Sequence, residues 1–361
     1  MVRDVCIVSE HPLESSFQRN SRIVSGGSTD NYTRLHHAWG PALAKVIWQF
    51  GNASFACLQD FCNSHSIESQ FGDRLRLASV PMEIDEMRTA SGLLVDAGIE
   101  SSFQERVSRS LGVQCSKTPV ATQIERLNGG LFDVESLLKS LKINRATQTS
   151  ITGRAKNISS TTGGMKVHLE DGRDISCEMI VLATHLNTGI LLPELATSLV
   201  SYADQWHSIE YPENVFADNR IGSVFSFNHG YFWGAIESLS KAIVGGGRQF
   251  RKDAGIDARV AVFSEKCLKI LVDELSSLLG TPTRPQIIGG QAFLECRPCD
   301  EIPIIGPMFG ESRILIGTGY SGSGATQGFY AGKCLADLIA KGTCPELPSG
   351  FHPVRLRSLS N

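Results

Sequence analysis

Apolar residues recur at helical spacing in several segments of this chain. From Leu43 to Phe61 they return every three or four positions, which predicts one long amphipathic helix. Residues 260–279 repeat the pattern over a similar length, and residues 83–96 show it more weakly. A cap signal followed by acidic residues predicts a further helix over residues 133–141.

Short apolar or alternating runs lie between these helices and predict β-strands. They occupy residues 5–8, 166–169, 174–177, 179–184, 222–227, 231–235, 242–245 and 314–316. The run at 179–184 is apolar up to its last residue, which is typical of a strand buried on both faces of a parallel sheet. Helices and strands mixed in this way predict an α/β fold.

The length and net charge of the chain indicate its domain content and argue against some kinds of partner. A chain of 361 residues is long enough for two domains, or for one large α/β domain with an inserted sheet. The formal net charge of -3 provides no large basic excess, so nucleic acid is not an expected partner. No apolar run approaches the ~20 residues that span a bilayer, and no signal-peptide core is evident. We therefore expect a soluble, cytoplasmic protein without a membrane partner.

Cysteine and histidine positions argue against redox and metal centres. The ten cysteines have no regular spacing, so reduced thiols in a cytosolic setting are expected rather than disulfides. Cys296 and Cys299 form an isolated C-x-x-C pair without the strand and long helix of a thioredoxin-like motif. His36 and His37 have no acidic or cysteine ligand at metal-binding spacing, so no metal site is predicted.

A glycine-rich turn near the C-terminus is the strongest chemical signal in the chain. The strand at 314–316 runs into glycines at positions 317, 319, 322 and 324, and a helix is predicted from about residue 326 to residue 340. Glycines let a planar ligand approach the backbone, and the first amides of a helix lack intrahelical acceptors. Such a turn suits an anion or an electron-rich carbonyl, such as the N1 and C2=O edge of a reduced flavin. The alternative is that the glycines serve only a tight turn.

The first residues are similar to the second strand of a dinucleotide-binding unit, because an apolar strand runs into Glu10. The usual first strand and G-x-G-x-x-G turn do not precede it, and Gly26 and Gly27 cannot replace that turn because they follow the strand. Three explanations stay open: the sequence starts late, another polypeptide supplies the strand, or the protein has given up the cofactor. A missing central strand leaves an uncovered edge, so the last two predict a protein partner or a rebuilt sheet.

Several segments of the chain resemble the D-amino acid oxidase-like family of FAD-dependent oxidoreductases, which includes glycine and sarcosine oxidases. They are residues 15–24, 130–138, 180–187, 228–234, 244–248 and 296–324. The resemblance implies an α/β fold with an FAD-binding, Rossmann-like sheet domain, truncated at its N-terminus, and an inserted substrate domain with a mixed or antiparallel sheet. The expected FAD-binding-like domain comprises residues 1–35, 125–200 and 285–345, the substrate domain residues 36–124 and 201–284, and the tail residues 346–361.

The resemblance also implies which residues bind a non-covalent FAD. Glu10 is expected to accept hydrogen bonds from the ribose hydroxyls. The residues expected beside the pyrophosphate and flavin are Arg19, Asn20 and Arg22 in the N-terminal loop and Gly319, Gly322, Ser323 and Gly324 in the C-terminal turn. The missing G-x-G-x-x-G turn removes the main phosphate site of the family, so FAD binding itself is left in question.

On the substrate side, the resemblance points to three residues with catalytic roles. Arg297 is similar to the arginine of the family's R-P motif, and His229 and Tyr231 would line the substrate cavity. A purely structural role for Arg297, a salt bridge to Asp300 or Glu301, stays open beside this one.

The chain departs from the family where related oxidases bind the substrate carboxylate. Ser25 and Thr326 stand at the positions of two cationic side chains, and neither can form such an ion pair. The favoured function is FAD-dependent oxidation of a C–N bond in a small amine or amino acid, by hydride transfer to the flavin. The alternative is a cofactor-deficient or partner-dependent subunit of a heteromeric complex, whose scaffold serves protein contacts.

Overall fold

The computed structural model describes residues 4–10, 20–114, 120–142 and 148–358. In these ranges the α-helices are Tyr32–Ser64 (α1), Pro81–Asp96 (α2), Val134–Lys142 (α3), Thr188–Leu191 (α4), Glu265–Leu279 (α5) and Gly324–Lys341 (α6). The strands are Val5–Ser9 (β1), Ile23–Ser25 (β2), Ser69–Ala78 (β3), Ser102–Val107 (β4), Val120–Phe132 (β5), Gln148–Thr152 (β6), Ala155–Thr161 (β7), Gly164–Leu169 (β8), Asp174–Cys177 (β9), Ile180–Leu182 (β10), Leu199–Glu210 (β11), Val224–Phe227 (β12), Phe232–Ile236 (β13), Lys241–Gly246 (β14), Gln286–Pro298 (β15), Ile304–Met308 (β16) and Glu311–Thr318 (β17). Among the described helices, none combines the length and apolar character needed to cross a membrane.

Helix α1 contains the helix predicted at residues 43–61 but begins earlier. The Asn31 side chain caps its N-terminus by accepting a hydrogen bond from the Thr33 amide. The chain bends within α1 at Gly40, whose φ of 74° is not helical, immediately before Pro41. The apolar spacing therefore located the straight part of α1 and missed the turns before the bend.

Helix α5 is shorter than the helix predicted at residues 260–279. It starts directly after Ser264, whose side chain accepts a hydrogen bond from the Cys267 amide and caps the helix. Val262 and Phe263 precede this cap, and 59% and 54% of their respective surfaces are exposed. Their helical spacing was thus misleading, because they do not contribute to the core.

The described chain forms two compact units that alternate along the sequence. The first unit falls in Met1–Asn20, Val134–Ser201 and Glu295–Asn361, and the second in Ser21–Asp133 and Tyr202–Leu294. The borders between these units follow residues 20, 133, 201 and 294. The division into an FAD-binding-like domain with borders at residues 35, 124, 200 and 284 stays a prediction. The assignment of FAD to one unit and substrate to the other stays a prediction.

The second unit is built on a nine-stranded mixed sheet. Its strands follow the order β15-β11-β14-β13-β12-β3-β5-β2, with β4 paired to β5. Strands β12 and β3 are parallel, whereas the β12–β13 and β3–β5 pairs are antiparallel. Leu75 of β3 and Phe225 of β12 pack in one core cluster with Leu275 of α5. The predicted mixed or antiparallel sheet is thereby confirmed.

The first unit contains smaller sheets around its own core. Strand β1 pairs with β6, and β10 with β17, in parallel. Strand β16 joins β17 in antiparallel fashion, and β7-β8-β9 form a separate antiparallel sheet that includes the predicted hairpin. Ile180, Leu182 and Ile316 lie in one core cluster, against which Val8 and Ile151 pack. These parallel pairs agree with the predicted α/β class.

Strand β10 corrects the expectation that the run at residues 179–184 is buried on both faces. Ile180 and Leu182 are buried, but Val181 is 45% exposed, because only one face of the strand packs on the core cluster. Val5 and Ile7 of β1 are likewise 50% and 45% exposed. In the described residues, the first unit therefore presents apolar strand positions to solvent.

The C-terminal segment, which the sequence analysis set apart as a tail over residues 346–361, is packed in its described part. Phe351 and Leu356 are buried. Arg355 donates from Nε to Oδ2 of Asp300 at 2.7 Å, which ties the segment to the turn after β15. The described part of this tail thus belongs to the core of the first unit.

Candidate active site

The turn between β17 and α6 has the backbone geometry that its glycines predicted. Gly319 and Gly322 have φ angles of 71° and 91°, which side-chain-bearing residues rarely adopt. A Cβ atom on Gly319 would lie 2.6 Å from Cγ of Pro298, so this position also lacks space for a side chain. The glycines therefore shape a tight turn, and they place the chain for the start of α6.

The start of α6 presents polar groups without partners. The Ser323 amide donates to the Tyr320 carbonyl at 2.9 Å, and the Thr326 amide donates to the Ser323 carbonyl at 3.1 Å. In the described ranges, the amides of Gly324 and Ala325 donate to no acceptor, as expected for a first helical turn.

Gln327 adds a hydrogen-bond acceptor to this helix start. It is only 4% exposed, and its Oε1 atom has no hydrogen-bond partner among the described residues. An unsatisfied buried amide oxygen is costly, so a ligand with an N–H group would stabilise it. The helix start thus offers two donors, one acceptor and the positive end of a helix dipole. This set of groups fits the pyrimidine edge of a flavin, which alternates carbonyl oxygens with an N–H.

The predicted residues of the N-terminal region are separated by the structure. Glu10 follows β1 in the first unit, and its Oε2 lies 3.8 Å from Nε of Arg154. Arg19 lies outside the described residues, and Asn20, the first residue of the described range 20–114, is partly buried. Arg22 belongs to the second unit, with a φ of 64°, and its Nη2 lies 2.7 Å from Oε1 of Glu237. Glu10 is therefore placed with the α6 turn in one unit, and Arg22 is not.

Arg297 is neutralised by a residue that the sequence analysis did not consider. Its Nη2 lies 2.7 Å from Oε2 of Glu295, and its Nε donates to the same oxygen at 2.8 Å. Of the two expected partners, Glu301 is 3.9 Å away, and Asp300 instead pairs with Arg355. The side chain is 14% exposed, so Arg297 is largely buried beside its carboxylate.

His229 lies in a charged cluster with helix α2. Its amide donates to Oε1 of Glu83, and its Nδ1 lies 3.3 Å from Oε2 of Glu86. Burial raises the pKa of Glu83, while the His229 amide opposes that shift. The small cavity beside these residues is also lined by Arg76, and it has room for about one water molecule but not for an amino acid. The surroundings of His229 thus suit a structural cluster.

Tyr231 lies beside a cation that the sequence analysis did not single out. The centroid of its ring lies 5.2 Å from the guanidinium carbon of Arg248. The ring centroid of Tyr202 lies 4.9 Å from the same carbon. The next residue, Phe232, is fully buried in the core, as strand alternation requires. Tyr231 therefore lies at the partly exposed end of β13, next to Arg248.

A buried group of charges in the second unit was also missed. Arg74 and Arg76 lie over the ring of Trp48, at 4.9 and 6.0 Å from its centroid. Nη1 of Arg74 is 3.4 Å from Oε1 of Glu125. Burial lowers the pKa of Arg76 to about 10. The signal in the sequence was the alternation of Arg74 and Arg76 with Leu75, which places both arginines on one face of β3.

The C-x-x-C pair does not have the properties of a redox centre. Cys296 is buried, and this burial raises the pKa of its thiol to about 11. Cys299 is exposed, and both residues are free thiols. A thiol with a raised pKa is a poor nucleophile, so thioredoxin-like chemistry is not supported.

One group of side chains has the composition of a metal site. Ligand atoms of Asp337, Cys344 and Glu346 lie within 4.8 Å of one another. The Asp337 carboxylate, however, pairs with Lys333 at 3.2 Å and Lys341 at 2.8 Å. Since these ammonium groups already neutralise the carboxylate, we assign no metal to this group.

Comparison with solved structures shows that the fold is shared with several proteins named as dehydrogenases and oxidases. An L-proline dehydrogenase from P. horikoshii matches with a TM-score of 0.72 and 13% identity over 98% of both chains. An iminodiacetate oxidase from Chelativorans sp. BNC1 matches with a TM-score of 0.70 and 17% identity, over 97% of this chain and 93% of that one. A glycine oxidase from Geobacillus kaustophilus matches with a TM-score of 0.70 and 12% identity over 97% of both chains.

Sequence comparison places the chain in a family. Comparison with curated protein sequences gave no match. The model of a family described as FAD dependent oxidoreductase matches residues 3–338, which is nearly the whole chain. This family, the D-amino acid oxidase-like one, is the family that the glycine-rich turn and the other motifs resemble. The chain therefore belongs to the D-amino acid oxidase-like family of FAD-dependent oxidoreductases.

Proposed function

We propose that this protein binds FAD non-covalently and oxidises a C–N bond of a small amine or amino acid by hydride transfer to the flavin. The observation that carries this proposal is the start of α6. There the amides of Gly324 and Ala325 and the buried Oε1 of Gln327 have no partners in the described residues. The family is FAD-dependent, which supports the choice of cofactor.

Bound FAD would supply the hydride acceptor, and residues of the first unit would hold it. The amides of Gly324 and Ala325 would donate to the flavin carbonyls, and Gln327 would accept from its N–H. The helix dipole of α6 would stabilise the negative charge that develops on this edge during reduction. Glu10, which follows β1, would accept hydrogen bonds from the ribose hydroxyls, as in the predicted site.

The second unit supplies the residues proposed to contact the substrate. We prefer Tyr231 and the neighbouring Arg248, at the partly exposed end of β13, over His229 for this role, because His229 is already held by Glu83 and Glu86. The solved structures with this fold are named for proline, iminodiacetate and glycine, all of which carry both a nitrogen and a carboxylate. These names support an amino or imino acid as the substrate.

Exposed apolar strand positions favour a second candidate, a subunit that depends on a partner. Val5, Ile7 and Val181 present 45–50% of their surfaces to solvent on strands of the first unit. A partner strand or helix would cover such positions and complete the parallel sheet. This candidate predicts that the purified chain binds no FAD on its own and co-purifies with another polypeptide.

Flavin titration and reduction distinguish the two candidates. The full chain is purified, incubated with FAD, freed of excess cofactor and examined by visible absorbance. The oxidoreductase proposal predicts a yellow protein whose flavin is bleached anaerobically by at least one member of a panel of glycine, alanine, proline and their decarboxylated amines. A protein that binds FAD but is reduced by no panel member contradicts the proposed substrate class. A protein that stays colourless contradicts the oxidoreductase proposal and favours the second candidate.

A further inference from the structure

Arg248 occupies an unusual position in the second unit. It follows Gly246 and Gly247, whose φ angles of 101° and 88° turn the chain sharply at the end of β14. Its guanidinium carbon lies 4.9 Å from the ring centroid of Tyr202 and 5.2 Å from that of Tyr231. The two aromatic rings thus hold a planar cation by cation–π contacts.

The charge of Arg248 is not neutralised by any described residue. No carboxylate of the described ranges lies within 4.0 Å of its guanidinium, and the group donates no hydrogen bond to a described residue. Other arginines of this unit are paired: Arg22 with Glu237 at 2.7 Å and Arg220 with Asp73 at 3.1 Å. Arg251, which is also partly buried and has no ion pair among the described residues, donates to the Val262 carbonyl at 2.8 Å and to Oε1 of Gln205 at 2.6 Å. Arg248 differs from these arginines because it has neither an ion pair nor a hydrogen bond with a described residue.

An unpaired, partly buried guanidinium has a defined chemical preference. Burial of a cation without a partner costs free energy, and this cost is offset when an anion binds. Aromatic contacts on the faces of a guanidinium leave its N–H edge free, and that edge matches the two oxygens of a carboxylate. A side chain already held by two rings loses little conformational entropy when it binds a ligand. The geometry therefore suits a carboxylate more than a neutral ligand.

The same turn contains a second polar side chain without partners. Both polar atoms of the Gln249 carboxamide are buried, and neither has a hydrogen-bond partner in the described residues. A buried amide with neither group satisfied is destabilising, and a ligand that supplies a partner offsets this cost. The turn that carries Arg248 thus holds two adjacent polar side chains that the described residues do not satisfy.

We propose that Arg248, held between Tyr202 and Tyr231, binds the carboxylate of the substrate, so that the substrate class is amino acids rather than simple amines. This inference rests on the proposed function, because that function defines what the substrate is. Carboxylate binding by Arg248 can nevertheless be tested without turnover. Arg248 acts here as a binding and specificity residue, and no chemical step passes through it.

Ligand-observed NMR tests carboxylate binding directly. The purified full chain, loaded with FAD if it binds FAD, is titrated with propionate and with propionamide, which differ only in charge and one polar group. We expect propionate to bind and propionamide to bind at least about tenfold more weakly, the ratio expected for one lost charge-assisted hydrogen bond. Arg248→Met should weaken propionate binding by a similar factor and leave propionamide unchanged.

Matched variants separate this role from a general loss of structure. Arg284→Met removes another arginine of the same unit, one whose guanidinium already pairs with Asp273, and should leave propionate binding unchanged. Arg248→Lys keeps the charge and should retain part of the affinity, which keeps the test valid if Arg248→Met does not fold. Equal propionate binding by wild type and both Arg248 variants, or no preference of wild type for propionate over propionamide, would overturn the proposal.

Turnover measurements distinguish failure of this inference from failure of the proposed function. With glycine and methylamine, or proline and pyrrolidine, Arg248→Met should raise KM for the acid about tenfold or more and leave the amine unaffected, with little change in kcat. Unchanged KM values for the acids contradict the role of Arg248 and leave the oxidoreductase proposal intact. If no compound reduces the flavin, the proposed function fails, and the NMR titration alone decides whether Arg248 binds carboxylates.

Discussion

At the scale of single residues, the second unit depends on buried charges as well as on its apolar core. Arg74 and Glu125 form an ion pair in which the side chains are only 7% and 3% exposed. Asn128 donates to the second oxygen of Glu125 at 2.8 Å, and Trp48 covers the guanidinium. Such a pair contributes little net stability, but removing one partner leaves the other charge buried and unpaired.

Substitution of Glu125 tests this dependence. Glu125→Ala should lower the free energy of unfolding by about 3–5 kcal/mol, because Arg74 would remain buried without its carboxylate partner. Urea denaturation followed by circular dichroism measures the change. Glu105→Ala, which removes the 45%-exposed partner of Arg88, is the matched control and should change stability by about 1 kcal/mol or less. Equal effects of the two substitutions would contradict the account.

His207 predicts a pH dependence of stability. Burial lowers its pKa from 6.5 to about 4, and its Nε2 has no partner in the described residues. The folded state therefore favours the neutral ring, so the contribution is complete above pH 6.5 and is lost as the pH falls from 6.5 toward 4, by up to about 3 kcal/mol. In thermal unfolding measured between pH 6.5 and 4, His207→Gln should reduce the loss of stability with falling pH. Substitution of the exposed His65 to Gln should leave this loss unchanged. An unchanged slope in His207→Gln would show that other groups cause it.

At the scale of elements, periodicity and turn chemistry predicted much of what the structure shows. The strand, glycine turn and helix formed by β17 and α6 depend on residues close in sequence, and they were predicted correctly. The start of α5 was not, because Ser264 caps the helix after two apolar residues that continue its spacing. The partner of Arg297 was missed because no strand was predicted over β15, which places Glu295 and Arg297 on the same face. The expected partner Asp300 pairs instead with Arg355, which is distant in sequence.

The turn before α6 can be tested with two glycines that share a backbone conformation. Gly319 and Gly310 both have positive φ, 71° and 83°, but only at Gly319 would a Cβ meet another residue, Pro298. Both substitutions to Ala carry a conformational cost of about 1–2 kcal/mol. Gly319→Ala should be more destabilising than Gly310→Ala in urea denaturation, and it alone should weaken FAD binding. Equal FAD affinities in the two variants would argue that this turn does not position the cofactor.

The cap of α5 provides an independent test at the same scale. Ser264→Ala removes the acceptor for the Cys267 amide and should lower the free energy of unfolding by about 1 kcal/mol. Ser264→Asp restores an acceptor and places a negative charge at the helix N-terminus, so it should recover the loss. Urea denaturation of both variants measures the effect. If Ser264→Asp were as unstable as Ser264→Ala, capping would not explain the late start of α5.

At the scale of the whole molecule, the residues implied by the family fall into two compact units. Glu10, the α6 turn and Arg297 belong to the first unit, and His229 and Tyr231 belong to the second. The sequence motifs identified the family because they are local, and the family match supports that identification. Arg248 escaped notice because its contacts with Tyr202 and Tyr231 join three separate strands or turns, which no spacing rule reveals.

Flavin content is the measurement that tests the central claim most directly. The full chain, purified and dialysed after incubation with FAD, is denatured, and the released flavin is quantified against protein. The account predicts close to one FAD per chain, released without covalent attachment, and a clear reduction of this ratio in Gly319→Ala but not in Gly310→Ala. Absence of bound FAD in the folded wild-type chain would contradict the claim that the start of α6 receives a flavin.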